Sequence, residues 1–129
     1  MTDEQFISSL EDCTLDNAAF HHADHVRMAF LYLERYPMIE ALQRFSTALA
    51  RFAASRGKPE RYHQTITWAF LLLIHERMVR GGGLAWTEFA ALNPDLLDWN
   101  GNILKKYYRE ETLSSDLART TFLFPDRLS

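Results

Sequence analysis

Apolar residues along this chain recur at the three-and-four spacing of a single helix face, and no stretch sustains the strict alternation of a half-buried strand. The pattern predicts helices throughout and no sheet. Thr2 and Gln5 stand at capping-box spacing ahead of Phe6, Ile7 and Leu10, so a short first helix is expected from Thr2 to about Asp12. A second helix is expected from His22 to Arg35, with Val26, Ala29, Phe30 and Leu33 as its apolar stripe. Pro37 ends it, because proline lacks a backbone donor and restricts Tyr36 before it.

Pro37 also suits the first turn of a third helix, extended to about Ser55 on the stripe Ile39, Leu42, Phe45, Leu49 and Phe52, with Gly57 as its stop. Pro59 is read as the start of a fourth helix reaching Arg80. Its middle, Ile66 to Ile74, is apolar nearly all round, which marks a central helix, and Gly81-Gly82-Gly83 closes it. Shorter helical pieces follow: Thr87 to Leu92 with Thr87 as cap, Pro94 to Trp99, Ile103 to Tyr108, and Ser114 or Ser115 to Phe122. The expected fold class is all-α, an up-and-down helical bundle with additional short C-terminal helices. Residues 1–129 are read as one domain, since no repeat or long Pro/Gly/Ser linker divides them.

Composition narrows the function classes. Hydrophobic residues make up 47% and charged residues 24% of the 129 positions, as in an ordinary globular domain. A net charge of -3 offers no general attraction to nucleic acid or to anionic membrane, so neither is expected as a partner. One cysteine, Cys13, excludes an intrachain disulfide, and the N-terminus lacks the basic-then-apolar order of a secretion signal. The apolar run from Trp68 to Ile74 is too short to span a bilayer. A cytoplasmic location is the expectation.

Histidines carry the candidate chemistry. His21, His22 and His25 open the second helix and His63 lies one turn into the expected fourth. Short connections would run the second, third and fourth helices up, down and up, with the two histidine sets at the same end. His22, His25 and His63 could then bind a divalent metal (zinc, iron, manganese or nickel), supported by Asp24 or Glu60, with an open position for a nucleophilic water. The metal-free version makes His63 a general acid or base and uses helix N-termini with Arg27 and Arg61 nearby to hold an anionic small molecule, with Thr67 as a pocket-lining donor. One residue of uncertainty in the helix start leaves open whether His21 or His22 faces inward.

The function expected on this reading is a small metal-dependent hydrolase or transferase acting on a small molecule. The rival is a non-catalytic helical module that binds a small anionic ligand or a protein partner, a second copy of the chain included. A third possibility is that the histidines are plain structural caps. Trp68, Trp86, Trp99, Tyr107 and Tyr108 are taken as packing residues, because no basic groove accompanies them.

Phe20-His21-His22-Ala23-Asp24-His25-Val26, Tyr62-His63-Gln64-Thr65-Ile66-Thr67 and Ala118-Arg119-Thr120-Thr121-Phe122 with Pro125-Asp126 resemble a set of small bacterial all-helical proteins of unknown function. That resemblance covers most of the chain and implies no activity. In its site alone the chain is distantly similar to DinB-type helical-bundle metalloproteins, which hold a divalent metal through three histidines on two helices. The pattern departs from theirs, with the histidine pair on the second helix and no second histidine one turn after His63.

Overall fold

In the computed structural model, which describes residues 1–127, every regular element is helical and no strand occurs among the described residues. The all-α expectation holds, and the helices form a bundle followed by short C-terminal helices. They are α1 (Asp3–Glu11), α2 (His22–Arg35), α3 (Met38–Ser55), α4 (Gln64–Gly81), α5 (Trp86–Leu92), α6 (Pro94–Leu97), α7 (Glu110–Leu113) and α8 (Asp116–Thr120). Single 3-10 turns add Asn17–Ala19, Pro59–Arg61 and Ile103–Lys106. Contacts gather the chain into two compact units, Met1–Tyr62 and His63–Ser129, each described by itself below.

In the first unit α1, α2 and α3 pack on one another. Thr2 caps α1 as its spacing foretells: its hydroxyl accepts from the Gln5 N–H at 3.1 Å and the Gln5 side chain accepts from the Thr2 N–H at 2.8 Å. The helix ends in a Schellman motif, with the Cys13 N–H bonded to the Leu10 carbonyl and the Thr14 N–H to the Ser9 carbonyl. Cys13 therefore occupies the left-handed position, at φ 62°, where glycine is the usual residue. The Arg56 guanidinium braces this turn through the carbonyls of Cys13, at 3.1 Å, and Leu15.

Phe20 joins the three helices by aromatic contacts, edge-on to Phe6 of α1 and Phe52 of α3 and stacked on His25 of α2. α2 is buried more completely than its stripe implies, since Met28, Leu31 and Tyr32 are covered along with Val26, Ala29 and Phe30. On α3, Leu42, Phe45 and Phe52 are buried as expected, while Ile39 is 67% exposed and Ala41 and Ala48 occupy the core instead.

α4 organises the second unit and begins later than Pro59 suggests. Pro59–Arg61 is a separate 3-10 turn, and α4 starts at Gln64 with His63 as its N-cap. It ends at Gly82, whose φ of 78° is the left-handed cap conformation that a glycine adopts without strain. Arg77 then ties α4 to α6 through a paired contact with Asp95, at 2.8 and 3.1 Å, and through the Asn93 side chain at 2.8 Å. The shorter pieces differ from expectation: α5 is capped by Ala85 rather than Thr87, α6 stops at Leu97 short of Trp99, Ile103–Lys106 is a 3-10 turn that ends before Tyr108, α8 spans only Asp116–Thr120, and α7 carries no apolar stripe that would reveal it.

Candidate functional site

The expected site residues divide between the two units. His22, Asp24, His25, Arg27, Glu60 and Arg61 belong to the first, and His63 and Thr67 to the second. Among the described residues no group of three or more His, Cys, Asp and Glu side chains is gathered closely enough to hold a metal ion.

In the first unit the candidate polar groups are engaged in building the structure. The Asp24 carboxylate turns back to accept from the His21 N–H at 3.0 Å, closing the start of α2 as a capping residue does. Arg27 pairs with Asp3 at 2.7 Å and lies 4.8 Å from the centre of the Phe6 ring, so its guanidinium fastens α2 to α1. His25 stacks on Phe20 with ring centres 3.9 Å apart and planes 18° from parallel. Burial, with a smaller contribution from the neighbouring His22, lowers its pKa to about 4, and a backbone hydrogen bond to Phe20 and the Asp24 charge only partly oppose this. His25 is thus a neutral, packed ring at neutral pH. Glu60 and Arg61 lie exposed on the 3-10 turn.

His63 shows the same economy in the second unit. Its Nδ1 accepts from the Ile66 N–H at 3.1 Å, which fixes the proton on Nε2, and Nε2 donates to the Leu113 carbonyl at 2.8 Å. Both ring nitrogens are used, one to cap α4 and one to hold the end of α7. A metal ligand needs a free lone pair on the imidazole, and this arrangement leaves none. Thr67 is buried one turn further along α4.

In the second unit two of the segments that carry the resemblance, residues 63–67 and the C-terminal residues 118–126, come together as a clasp. The Thr65 side chain is fully buried, and its hydroxyl donates to the Thr121 carbonyl at 2.8 Å and accepts from the Leu123 N–H at 3.1 Å. Tyr108 donates to the Leu123 carbonyl at 2.7 Å. Asp126 accepts from the Arg109 N–H at 3.0 Å and from the Thr112 hydroxyl, so its carboxylate stays below the usual pKa range. The backbone N–H groups of Asp126 and Arg127 both reach the Tyr107 carbonyl, at 3.1 and 3.0 Å, and Arg127 donates to the Lys105 carbonyl at 2.6 Å. Residues 121–127 form a strap fixed along its whole length.

The strap creates a surface that the sequence reading missed. Phe122 stacks on Trp68 of α4, with ring centres 5.4 Å apart, and meets Phe124 edge-on at 5.8 Å, leaving Phe124 83% exposed. Further along the strap Arg127 is bonded to the carbonyls of Tyr107 and Lys105, in a segment where Lys105, Lys106, Tyr107 and Arg109 are exposed. Tyr107 and Trp99, read as packing residues, are exposed large side chains, whereas Tyr108 is buried. The run Lys105-Lys106-Tyr107-Tyr108-Arg109 was a legible signal, but its other half, Phe124 to Arg127, lies far along the chain and joins it only through the strap.

No helix among the described residues is long and apolar enough to cross a membrane. No family model matches the chain, and no curated protein or solved structure matches it.

Proposed function

We propose that the chain is a non-catalytic helical module that binds a protein partner, its histidine, threonine and aspartate motifs serving to lock the fold. The observation that carries this reading is His63, whose two ring nitrogens are consumed by the Ile66 N–H and the Leu113 carbonyl. A residue so placed has no lone pair for zinc, iron, manganese or nickel, and its proton is held away from any substrate. Asp24 and Arg27 support the same reading, because each is already paired within the first unit. The metal-dependent hydrolase or transferase would need the imidazole of His63 to give up its cap on the Ile66 N–H.

Metal analysis of protein purified without chelators tests the proposal, together with His63→Ala. Less than stoichiometric metal, a melting temperature indifferent to added zinc or manganese, and a His63→Ala variant destabilised by about 1–2 kcal/mol for the lost cap are expected. Stoichiometric metal that disappears in His63→Ala would overturn it.

A further inference from the structure

We infer that Asn100 is a site of spontaneous covalent modification: its side chain closes a succinimide with the Gly101 nitrogen, loses ammonia and reopens to aspartate or isoaspartate, the latter opening the turn that leads into Ile103–Lys106. The site lies in one exposed turn of the second unit and is independent of whether the chain binds a partner.

Asparagine is among the chemically labile residues, and the reaction here needs only two neighbouring residues and water. The Gly101 backbone nitrogen gives up its proton and attacks the side-chain carbonyl carbon of Asn100. The N–Cγ bond forms, the Cγ–Nδ2 bond breaks, and Nδ2 leaves as ammonia with the displaced proton. Water then adds to either ring carbonyl, and the freed Gly101 nitrogen takes up a proton from it. Opening at Cγ gives aspartate on an ordinary backbone. Opening at the backbone carbonyl leaves the main chain running through Cγ, which is isoaspartate.

The turn presents both partners to this reaction. Asn100 and Gly101 are its exposed central residues, and the Asn102 N–H closes it on the Trp99 carbonyl at 3.2 Å. Among the described residues neither the Asn100 side-chain amide nor the Gly101 N–H makes a hydrogen bond, so nothing holds them apart. Gly101 carries no Cβ to shield its nitrogen, and its backbone has the freedom to swing that nitrogen over the Asn100 Cγ. Space, not a left-handed φ, is what this turn asks of the glycine. An Asp98 carboxylate oxygen lies 2.5 Å from where a Cβ would stand, and any larger residue must push it aside. The turn therefore favours the very residue that leaves Asn100 open to attack.

The chain holds four asparagines, and the other three are protected. Asn93 is buried and precedes Pro94, whose nitrogen bears no proton. Its amide donates to the Phe89 carbonyl at 2.9 Å and accepts from Arg77 at 2.8 Å. Asn102 is buried too, its side-chain oxygen accepts from the Leu104 N–H at 2.9 Å, and the β-branched Ile103 follows it. Asn17 is exposed, but the Ala18 N–H that would attack it is donated to the Asp16 carboxylate at 3.0 Å within a 3-10 turn.

Isoaspartate would insert a methylene into the main chain between positions 100 and 101 and place a new carboxylate near Asp98 in the sequence. The bond from the Asn102 N–H to the Trp99 carbonyl spans that stretch, so the lengthened backbone releases it. Asn102 in turn caps Ile103–Lys106, whose Ile103 and Leu104 are buried.

Ageing of the folded full chain in water enriched in heavy oxygen, at mildly alkaline pH, tests the proposal by peptide mapping with electron-transfer fragmentation. The label should accumulate in the Asn100 peptide as both aspartate and isoaspartate, faster as the pH rises, and stay at background at Asn17, Asn93 and Asn102. Asn100→Gln, an exposed change that circular dichroism should show folded, should lose the uptake, because the longer side chain no longer closes the five-membered ring. In the isoaspartate product the Asn102 amide should exchange its hydrogen faster than in the unmodified chain.

An Asn100 peptide that stays unlabelled, or that labels only once urea has unfolded the chain, would overturn the proposal. So would uptake at Asn17 equal to that at Asn100, uptake retained in Asn100→Gln, or an unchanged Asn102 amide in the isoaspartate product. Aspartate formed without isoaspartate would also overturn it, since direct hydrolysis of the amide yields aspartate alone.

Discussion

Acidification should weaken the first unit through His25 in a way that a single substitution can isolate. The ring is packed on Phe20 and its pKa is lowered from 6.5 to about 4, chiefly by burial and then by His22. A base whose folded value lies below its unfolded value is protonated more readily in the unfolded chain. Stability is therefore complete above pH 6.5, falls as the pH drops through the window between 6.5 and 4, and falls no further from this group below 4. The linkage integral gives a loss of about 2 kcal/mol by about pH 5 and about 3 kcal/mol in full. Urea unfolding at neutral pH and near pH 5, run on the native chain and on His25→Gln, measures it. Carboxylates common to both proteins cancel in the comparison, so the native chain should lose about 2 kcal/mol more than the variant. Nuclear magnetic resonance should show His25 titrating at about 4 rather than at the ordinary 6.5, and His22→Gln should raise its pKa by removing the neighbouring charge. An equal loss in both proteins, or a His25 titration near 6.5, would refute the reasoning.

Other substitutions test the elements that hold the two units in shape. Thr65→Val keeps the shape of the side chain but deletes both strap bonds, and should cost about 2 kcal/mol in denaturant melts while exposing residues 121–127 to limited proteolysis. Cys13→Gly should raise stability by about 0.5–1 kcal/mol, because relief of the left-handed backbone outweighs the entropy that glycine adds to the unfolded chain; a loss would show that packing of the thiol matters more. Tyr32→Phe removes the 2.7 Å bond to the Glu11 carboxylate from a fully buried ring and should cost about 1–2 kcal/mol by thermal melting, with the far-ultraviolet dichroism unchanged.

Much of the helical framework was legible because its signals are local. Thr2 with Gln5 and the stop at Pro37 specify ends within a few residues, and the structure forms them where they are read. Ile39 misled because the strongest hydrophobes defined the stripe, whereas Ala41 and Ala48, small and nearly neutral in hydropathy, mark the face that is buried. Pro59 misled for a different reason: a proline at the first turn suits a 3-10 turn as well as a long helix. What decides between them is the cap that follows, and histidine is not among the residues that ordinarily announce one.

The same non-locality explains why the histidine motif invited a catalytic reading. In the sequence, an imidazole that ligates a metal and one that joins a helix start to a distant carbonyl are the same letter. The difference lies in where the second nitrogen goes, and for His63 that is Leu113, 50 residues away. Thr65 likewise reaches Thr121 and Leu123, at separations of 56 and 58, and Asp126 reaches back 17 residues to Arg109. Each side chain satisfies backbone groups that would otherwise be left unpaired where two segments meet, a need as demanding of residue type as catalysis is. Thr65 and Asp126 thus supply rigidity to the strap, holding the chain on either side of the exposed Phe124.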